Sequence, residues 1–281
     1  MKKPLLLITT GDPAGIGPEI VKKALRDPHI KNTADFFIIK PDDKTGFDAI
    51  RKAVEILKKG KAHGLVTGPV NKAAINKSGI PFKGHTEYLA KATDSKKFAM
   101  MFCGASLKVT IVTRHLPLQK VSGSLTQDSI ETAIELTHGA LRKYFRIHRP
   151  RIGVCGLNPH AGEDGLMGKE EKEVIVPAID RMRKNIPGVR GPLPGDAIFY
   201  MANQGMFDAV VAMYHDQGLA PFKMIAFNKG VNVTLGLPFV RTSPDHGTAY
   251  DIAARGIADP GSMKEAIKLA ARMCMHELRN G

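Results

Sequence analysis

The sequence predicts an α/β protein built from mostly parallel sheets flanked by helices. Apolar runs rich in β-branched residues alternate with amphipathic helical stretches along the chain, which is the pattern of βα units around a parallel sheet. Of the 281 residues, 43% are hydrophobic and 24% are charged, as is typical of globular enzymes. This length allows one large domain or two modest ones.

Strands are predicted for short apolar runs that end at turn-forming or polar residues. They cover residues 5–9, 36–40, 64–67, 98–102, 107–113, 151–156, 209–214 and 231–235. Glycines concentrate just after these strands, where ligands can approach the backbone closely.

Helices are predicted where apolar residues recur with a helical period. They cover residues 19–26, 47–59, 87–92, 127–145, 169–184, 196–203, 249–254 and 262–278. In the 127–145 stretch the apolar residues share one face, and Thr126 is the natural N-cap. Gly60, which follows two lysines, is a helix stop.

The chain is strongly basic, with a formal net charge of +14 from 41 Lys and Arg against 27 Asp and Glu. The basic residues are spread along helices, and the sequence contains no tryptophan and no nucleic-acid-binding motif. We therefore expect no nucleic-acid partner. The basic residues either form a solvated surface or create a field that attracts anionic small molecules.

Cysteine usage and the N-terminal segment predict a cytoplasmic protein. Cys103, Cys155 and Cys274 are odd in number and lie scattered in apolar segments, which favours buried thiols over disulfides. The apolar run after two N-terminal lysines is interrupted at Gly11, too early for a secretory signal, and no stretch is long enough to span a membrane. No membrane partner is expected.

Three histidines in short polar or turn-forming contexts predict a metal site. His115 (TRHLPL), His160 (GLNPHAGE) and His215 (AMYHDQG) each follow an apolar, β-rich run. Because strand ends in α/β proteins converge on one crevice, the three side chains can meet there. Three neutral imidazoles with one open position make a catalytic site for a divalent metal. The alternative is three unrelated strand-end histidines.

A glycine-rich motif, GDPAGIGPE at residues 11–19, lies between a predicted strand and a predicted helix. It is not the GxGxxG fingerprint of Rossmann dinucleotide sites. The motif forms either a pocket where an anion contacts backbone N–H groups or a tight turn that binds no ligand.

A loop-rich segment at residues 68–89 places polar side chains before a helix that opens at Glu87. Asn71 and Lys72 come first, and His85 and Thr86 follow at the helix start. An imidazole beside a hydroxyl group can form hydrogen bonds to a phosphate or to a substrate hydroxyl group. In the alternative interpretation, Thr86 is only the N-cap of the helix.

The C-terminal half carries two further candidate binding segments. Lys223, Asn232 and Arg241 lie just outside apolar runs and suit a phosphate- or carboxylate-bearing substrate, although each residue type is individually more common as a plain surface residue. The stretch at 243–262, SPDHGTAYDIAARGIADPGS, is interpreted as a short helix between two polar turns, an arrangement that can enclose an adenosine.

Together these motifs closely resemble the PdxA family, the 4-hydroxythreonine-4-phosphate dehydrogenases of vitamin B6 biosynthesis, from the first strand to about Gly261. The blocks GDPAGIGPE and HGTAYDIAARGIADP also resemble the opening motif and adenosine loop of isocitrate and isopropylmalate dehydrogenases. The resemblance implies the two-domain fold of those enzymes, with the active site in the interdomain cleft. It implies a cofactor-side domain of residues 1–84 and 240–281, and a metal, substrate and dimerisation domain of residues 85–239.

The resemblance also implies roles for individual residues. The implied metal ligands, for zinc, magnesium or cobalt, are shared between the chains of a homodimer and are His115, His160 and His215. The implied substrate-binding residues are His85, Thr86, Lys223, Asn232 and Arg241. The implied residues for NAD or NADP are Gly11, Asp12, His246, Gly247, Thr248 and Asp251. The general base is left open among Asp245, Asp196 and Lys223, in that order.

The implied reaction is a metal-dependent, NAD(P)-linked oxidation of 4-phosphohydroxy-L-threonine. Its product, 2-amino-3-oxo-4-phosphooxybutanoate, decarboxylates to 3-amino-1-hydroxyacetone phosphate. Dehydrogenases of D-threonate or D-erythronate 4-phosphate, or of an aromatic dihydrodiol, are alternatives within the family. Outside it, a zinc hydrolase, a phosphate acetyltransferase and a basic nucleic-acid binder stay open. The chain is markedly shorter than typical members between Gly17 and His85, after the second strand, which leaves cofactor choice and substrate specificity open.

Overall fold

The computed structural model describes residues 3–279 of the chain. They form two compact units, one made of the residues up to Lys96 and from Asn228 onward, and the other of Lys97–Phe227. The sequence predicts boundaries at 84/85 and 239/240, so the segments 85–96 and 228–239 belong here to the first unit rather than to the second.

The elements alternate between strands and helices through most of the chain. In chain order they are β1 (Leu5–Thr9), α1 (Gly17–Arg26), α2 (Pro28–Lys31), β2 (Asp35–Ile39), α3 (Phe47–Lys58), β3 (Gly64–Thr67), α4 (Lys72–Lys77), α5 (His85–Ala92), β4 (Ala99–Gly104), β5 (Leu107–Ile111), α6 (Val121–Ser124), α7 (Gln127–Lys143), β6 (Ile152–Cys155), α8 (Val176–Asn185), β7 (Val189–Leu193), α9 (Gly195–Asn203), β8 (Ala209–Ala212), α10 (His215–Ala226), β9 (Val231–Leu235), β10 (Val240–Pro244) and α11 (Gly261–Leu278). A π-helical turn, Glu171–Ile175, precedes α8.

The first unit has its strands in the order β2-β1-β3-β10-β9. All neighbours pair in parallel except β10 and β9, which are antiparallel. Leu6, Leu7 and Ile8 of β1 are completely buried, as expected for a parallel strand covered on both faces. In this register Arg241 of β10 lies between Leu65 of β3 and Thr234 of β9.

The second unit has its strands in the order β4-β5-β8-β6-β7. Only β4 and β5 pair antiparallel. One buried cluster joins Ile134 of α7 and Ile179 of α8 to the sheet, and another joins Phe199 of α9 and Phe222 of α10 to it. The predicted α/β class, with mainly parallel strands flanked by helices, is confirmed.

Several predicted elements need correction. The predicted helix at 249–254 is wrong, because Ala249 and Ala254 have φ of 43° and 61° and the segment forms successive turns. Strands β7 and β10 and helices α2, α4, α6 and α10 are additional to the prediction. The N-cap of α7 is confirmed, since Thr126 and Ser129 form a reciprocal capping box.

No helix among residues 3–279 is long and apolar enough to cross a membrane.

The glycine motif at 11–19 is packed against neighbouring backbone. A Cβ on Gly17 would lie 2.0 Å from the carbonyl oxygen of Thr10. We expect Gly17→Ala to lower the free energy of unfolding by about 3 kcal/mol, near the upper end for overpacked sites. Gly139, exposed in α7 with open space at its Cβ position, is the matched control, and Gly139→Ala should raise stability by about 0.5–1 kcal/mol. Denaturant titrations check both, and equal unfolding midpoints would contradict the steric argument.

Candidate active site

A buried arginine is the centre of a polar cluster in the first unit. Arg241 is only 2% exposed. Its guanidinium donates to the hydroxyl of Thr234 at 3.0 Å and to the hydroxyl of Thr67 at 2.6 Å. These acceptors carry no charge, so neither of the two hydrogen bonds neutralises the charge of the guanidinium.

The same cluster contains buried polar atoms without partners. Among residues 3–279, the Nε atom of Arg241, the Nε2 atom of His85 and the Oδ1 atom of Asn232 are buried and make no hydrogen bond. Native proteins rarely leave buried polar groups unpaired, because each such group costs about 1–3 kcal/mol. The Nε of Arg241 is a donor that the oxygen of an anion would satisfy, and the anion would also balance the charge of the guanidinium. The Oδ1 of Asn232 is an acceptor and needs a donor, such as a hydroxyl or ammonium group of the ligand.

The N-terminus of α5 contributes to the same cluster. The N-cap is Gly84, whose φ of 153° is a backbone conformation that favours glycine, and no side chain caps the helix. The interpretation of Thr86 as the N-cap is thus wrong: Thr86 is the second helical residue, and its Oγ1 lies 3.3 Å from the Oγ1 of Thr234. An uncapped helix N-terminus favours a bound anion through its N–H groups and dipole.

Electrostatics in the cluster favour an anion. Burial lowers the pKa of Arg241 to about 9, and the Glu87 carboxylate opposes this shift. Arginine therefore stays charged at neutral pH. The pKa of His85 lies well below its usual value, first because the ring is buried and then because the positive charges of Arg241 and Lys72 are nearby. His85 is neutral at pH 7 as a result.

The lowered pKa of His85 predicts an acid-sensitive contribution to stability. Below the unfolded-state pKa of about 6.5, the unfolded chain takes up a proton that the folded chain does not, so stability falls as the pH falls. Between pH 6.5 and 5.5 we expect wild type to lose at most about 1 kcal/mol more than His85→Gln. Denaturant titrations across this range, referenced to the offset between the two proteins at pH 8, check the prediction. Parallel curves down to pH 5.5 would contradict it.

Two of the three predicted metal ligands lie together in the second unit. His115 follows β5 and His215 begins α10 directly after β8, and these two strands are parallel neighbours. The centroids of the two imidazole rings are 5.4 Å apart. The Nδ1 atom of His215 lies 2.7 Å from the Oδ1 atom of Asp216. A carboxylate on Nδ1 orients the ring and leaves Nε2 to bind a metal.

The third predicted metal ligand is His160, which also belongs to the second unit. It lines a pocket of ≈ 570 Å³ together with Asp196, Tyr214 and Gln217. In the described part of the chain, no group of three or more His, Cys, Asp and Glu side chains is arranged to hold a metal. One chain thus pairs His115 with His215 and does not place His160 with them. The imidazole pair itself fits a divalent metal that keeps open positions for a third ligand and a substrate.

The backbone that carries His160 is strained. His160, Ala161, Gly162, Glu163 and Asp164 all have left-handed backbone, with φ of 53°, 53°, 83°, 41° and 54°. For residues other than glycine this conformation costs about 1–2 kcal/mol each. A run of this kind persists only where the surrounding structure holds it, and such strain clusters at functional sites.

The predicted cofactor residues lie in the glycine motif at 11–19 and in the segment 246–251, and a backbone hydrogen bond joins these two segments. The N–H of Ile16 donates to the carbonyl oxygen of Thr248 at 2.9 Å, which joins the glycine motif to the DHGT turn. Asp12 is buried and accepts from the N–H of Ala14 and, at 2.5 Å, from the hydroxyl of Tyr250. The motif is therefore a tight turn with close backbone packing. Gly11 packs in the same way, since its Cβ position lies 2.2 Å from the carbonyl oxygen of Pro69.

The remaining predicted residues have separate surroundings. The Nε2 atom of His246 is buried and has no hydrogen-bond partner among residues 3–279, and its Nδ1 lies 3.1 Å from the carbonyl oxygen of Gly247. Asp251 is exposed. The N–H of Asp245 donates to the hydroxyl of Ser262. Lys223 lies on α10 in the second unit, whereas the other predicted substrate-binding residues lie in the first.

Comparison with known proteins identifies the family. A family model described as pyridoxal phosphate biosynthetic protein PdxA matches residues 39–270. A 4-hydroxythreonine-4-phosphate dehydrogenase of Desulforapulum autotrophicum is 42% identical over 96% of this chain and 95% of that protein. A relative from Oceanobacillus iheyensis, named "Putative D-threonate 4-phosphate dehydrogenase", is 39% identical over 97% of this chain and 98% of its own length.

Solved structures agree with this relationship. A 4-hydroxythreonine-4-phosphate dehydrogenase from Klebsiella pneumoniae has a TM-score of 0.84 and 36% identity, with 98% of both chains covered. An isocitrate dehydrogenase from Methylococcus capsulatus, at 18% identity, has a TM-score of 0.56 over 99% of this chain and 86% of its own, which shows a shared fold. The resemblance inferred from the motifs is confirmed. The chain belongs to the PdxA family, the oxidoreductases of pyridoxal phosphate biosynthesis.

Proposed function

We propose that the protein oxidises 4-phosphohydroxy-L-threonine with NAD or NADP and a divalent metal. The hydroxyl-bearing carbon loses hydride to the nicotinamide, and its O–H proton goes to a base, which gives 2-amino-3-oxo-4-phosphooxybutanoate. A ketone beside the carbon that bears the carboxylate favours loss of carbon dioxide, which leaves 3-amino-1-hydroxyacetone phosphate. Relatives that carry this activity in their names, at about 40% identity over nearly the whole chain, support the proposal.

The observation that carries the proposal is the buried polar cluster around Arg241, which is suited to bind an anion. Arg241 is charged and buried, and its Nε atom, a donor, lacks a partner among residues 3–279. The buried Nε2 atom of His85 also lacks a partner there. A phosphate monoester offers several oxygen acceptors to the guanidinium, the hydroxyls and the helix N-terminus. A dihydrodiol without an acidic group offers no such partner, so the cluster argues against an uncharged diol as the substrate.

We propose His115 and His215 of one chain as metal ligands, with His160 supplied by the second chain of a homodimer. Two imidazoles from adjacent strand ends, one of them oriented by Asp216, support this assignment. A divalent metal held there would polarise the substrate hydroxyl group and make its proton more acidic. Zinc, magnesium and cobalt stay open.

Three residues remain candidates for the base that accepts the hydroxyl proton. Asp245 stays the first candidate, with Asp196 and Lys223 after it. Asp196 lines the same pocket as His160, which supports a place near the chemistry. The glycine motif and the DHGT turn, joined through Ile16 and Thr248, are the proposed NAD(P) side. The location of the active site in an interdomain cleft stays a prediction.

An NAD(P)H absorbance assay on metal-loaded protein tests the proposal. We expect 4-phosphohydroxy-L-threonine to give a higher kcat/KM than D-threonate 4-phosphate or D-erythronate 4-phosphate. The Oceanobacillus relative makes D-threonate 4-phosphate the second candidate. The phosphate cluster serves both compounds alike, because they differ at the amino-bearing carbon, where D-threonate carries a hydroxyl group. A preference for D-threonate 4-phosphate would replace the first assignment, and the absence of turnover of all three would overturn both.

A further inference from the structure

The left-handed turn that carries His160 is held from one side by a single buried carboxylate. Glu171 is only 4% exposed, and it begins the π-helical turn before α8. Its Oε1 atom accepts the backbone N–H groups of Leu157 and Asn158 at 2.7 and 2.8 Å. Its Oε2 atom accepts the side-chain amide of Asn158 at 2.9 Å. Three hydrogen bonds to a carboxylate are charge-assisted and fix the chain just before the turn.

Glu171 also packs against the middle of the turn. A Cβ built on Gly162 would lie 2.6 Å from its Oε2 atom and 3.0 Å from its Cδ atom. Gly156, at the end of β6, approaches Glu171 in the same way, with its Cβ position 3.1 Å from Oε1. The carboxylate therefore fills the space enclosed by residues 156–162. Because His160 lies inside this stretch, its position depends on the group that fills it.

We propose that Glu171 is a positioning residue that acts on the metal site through His160. Its hydrogen bonds go to Leu157 and Asn158, and through them it fixes the strained backbone from which His160 projects. Without it, the left-handed run can relax toward ordinary backbone and take the imidazole with it. A π-helical turn at this point fits such a role, since these turns are frequent at functional sites. The inference rests on the proposed function, because it takes His160 as a metal ligand.

The variant Glu171→Gln tests the role with little change in volume. Its amide presents an N–H₂ group to donors that need an acceptor, so at least one of the bonds is lost. We expect the dissociation constant for Co²⁺, titrated calorimetrically into metal-free protein, to rise about 10- to 100-fold, as for other groups that orient metal ligands. The visible absorption spectrum of bound Co²⁺ should change as well. Glu171→Asp, which keeps the charge, should recover part of the affinity.

Two controls separate positioning from a general loss of structure. Glu173 lies exposed in the same π-helical turn, so Glu173→Gln should bind Co²⁺ with wild-type affinity and an unchanged spectrum. Asn158→Ala removes the side-chain bonds to Glu170 and Glu171 but keeps the two backbone N–H bonds to Glu171, so it should weaken Co²⁺ binding less than Glu171→Gln does. If Glu171→Gln fails to fold, Asn158→Ala becomes the deciding variant. Wild-type Co²⁺ affinity in Asn158→Ala would then overturn the proposal.

The outcomes distinguish this inference from the proposed function. If His160→Ala loses Co²⁺ binding while Glu171→Gln keeps wild-type affinity and spectrum, the positioning role is wrong and the metal site stands. If His160→Ala itself binds Co²⁺ normally, the proposed ligand set fails, and the inference falls with it. Weakened binding in both variants, with Glu173→Gln unchanged, supports the role of Glu171.

Discussion

Substitution of His115 or His215 by alanine is expected to abolish stoichiometric metal binding and, with it, the oxidation. The two rings stand 5.4 Å apart after neighbouring parallel strands, so removal of either leaves a single imidazole from that pair. Loss of the metal removes its polarisation of the substrate hydroxyl group, an effect that for bound water reaches about 12 kcal/mol, from a pKa of about 16 to about 7. Zinc or cobalt content by elemental analysis and turnover by NAD(P)H absorbance are the measurements.

The control for this prediction is another histidine of the same unit. His148 is exposed before β6 and lines a separate pocket with His138, so His148→Ala should keep both metal and activity. Circular dichroism and unfolding midpoints establish that the variants fold. Wild-type metal content in both His115→Ala and His215→Ala would show that this pair holds no metal.

Subunit mixing tests whether His160 reaches the site from a second chain. If His115 and His215 act together in one chain, an inactive His115→Ala chain mixed with an inactive His160→Ala chain regenerates one complete site per heterodimer. Mixing His115→Ala with His215→Ala regenerates none. We therefore expect activity to return only in the first mixture. Equal results from the two mixtures after verified subunit exchange would contradict shared ligation.

The strands with the strongest local signal could be predicted from sequence alone. Residues 5–9, 64–67 and 231–235 form strands with the predicted bounds, because each is an apolar run flanked by turn-forming or polar residues. Strand β10 has the sequence VRTSP, which resembles a loop, yet all five residues are buried between β3 and β9. Its burial comes from strands distant in the chain, which no local pattern reveals.

Helix α10 shows a second limit of local patterns. Its sequence contains Gly218 and Pro221, both poor helix formers, so the stretch has no clear helical signal. The structure explains the glycine, since a Cβ there would lie 2.8 Å from the Cγ1 atom of Val109 on the sheet. The helix packs closely at this point, and tertiary contact overrides the weak propensity. The predicted helix at 249–254 fails in the opposite sense, because alanine-rich sequence is held in turns.

The candidate site was only partly accessible from sequence. The pairing of His115 with His215 follows from β5 and β8 being neighbours, a strand order that sequence leaves open. Asp216 was not identified from the sequence as the residue that orients His215, although the two are adjacent in the chain. A carboxylate next to a candidate metal ligand is the sequence signal for this role. Glu171 offers no such signal. Its role depends on the π-helical turn and on two backbone N–H groups of a distant loop.

Arg241→Ala is expected to lower kcat/KM for the phosphorylated substrate by about 30- to 1000-fold, or roughly 2–4 kcal/mol. The Nε atom of the buried guanidinium has no hydrogen-bond partner within residues 3–279, and its other two nitrogens donate to threonine hydroxyls. A phosphate bound there would therefore gain strong charge-assisted hydrogen bonds. Arg241→Lys should be nearly as damaging, because an ammonium cannot reproduce the planar fork of donors. Lys22, exposed on α1 of the same unit, provides a Lys22→Ala control for the loss of one positive charge.

The readouts for Arg241 distinguish phosphate binding from a defect elsewhere. Metal content should stay at the wild-type level in Arg241→Ala and Arg241→Lys, because the histidine pair lies in the second unit. Inorganic phosphate should raise the unfolding temperature of wild type and of Lys22→Ala, since a ligand of the folded state stabilises it, and should have little effect on either Arg241 variant. If Arg241→Ala turned over the phosphorylated substrate normally, or if a dephosphorylated analogue served equally well, the cluster would not be a phosphate site. The substrate would then be a non-phosphorylated diol, and the unpartnered atoms of His85 and Asn232 would need a different ligand.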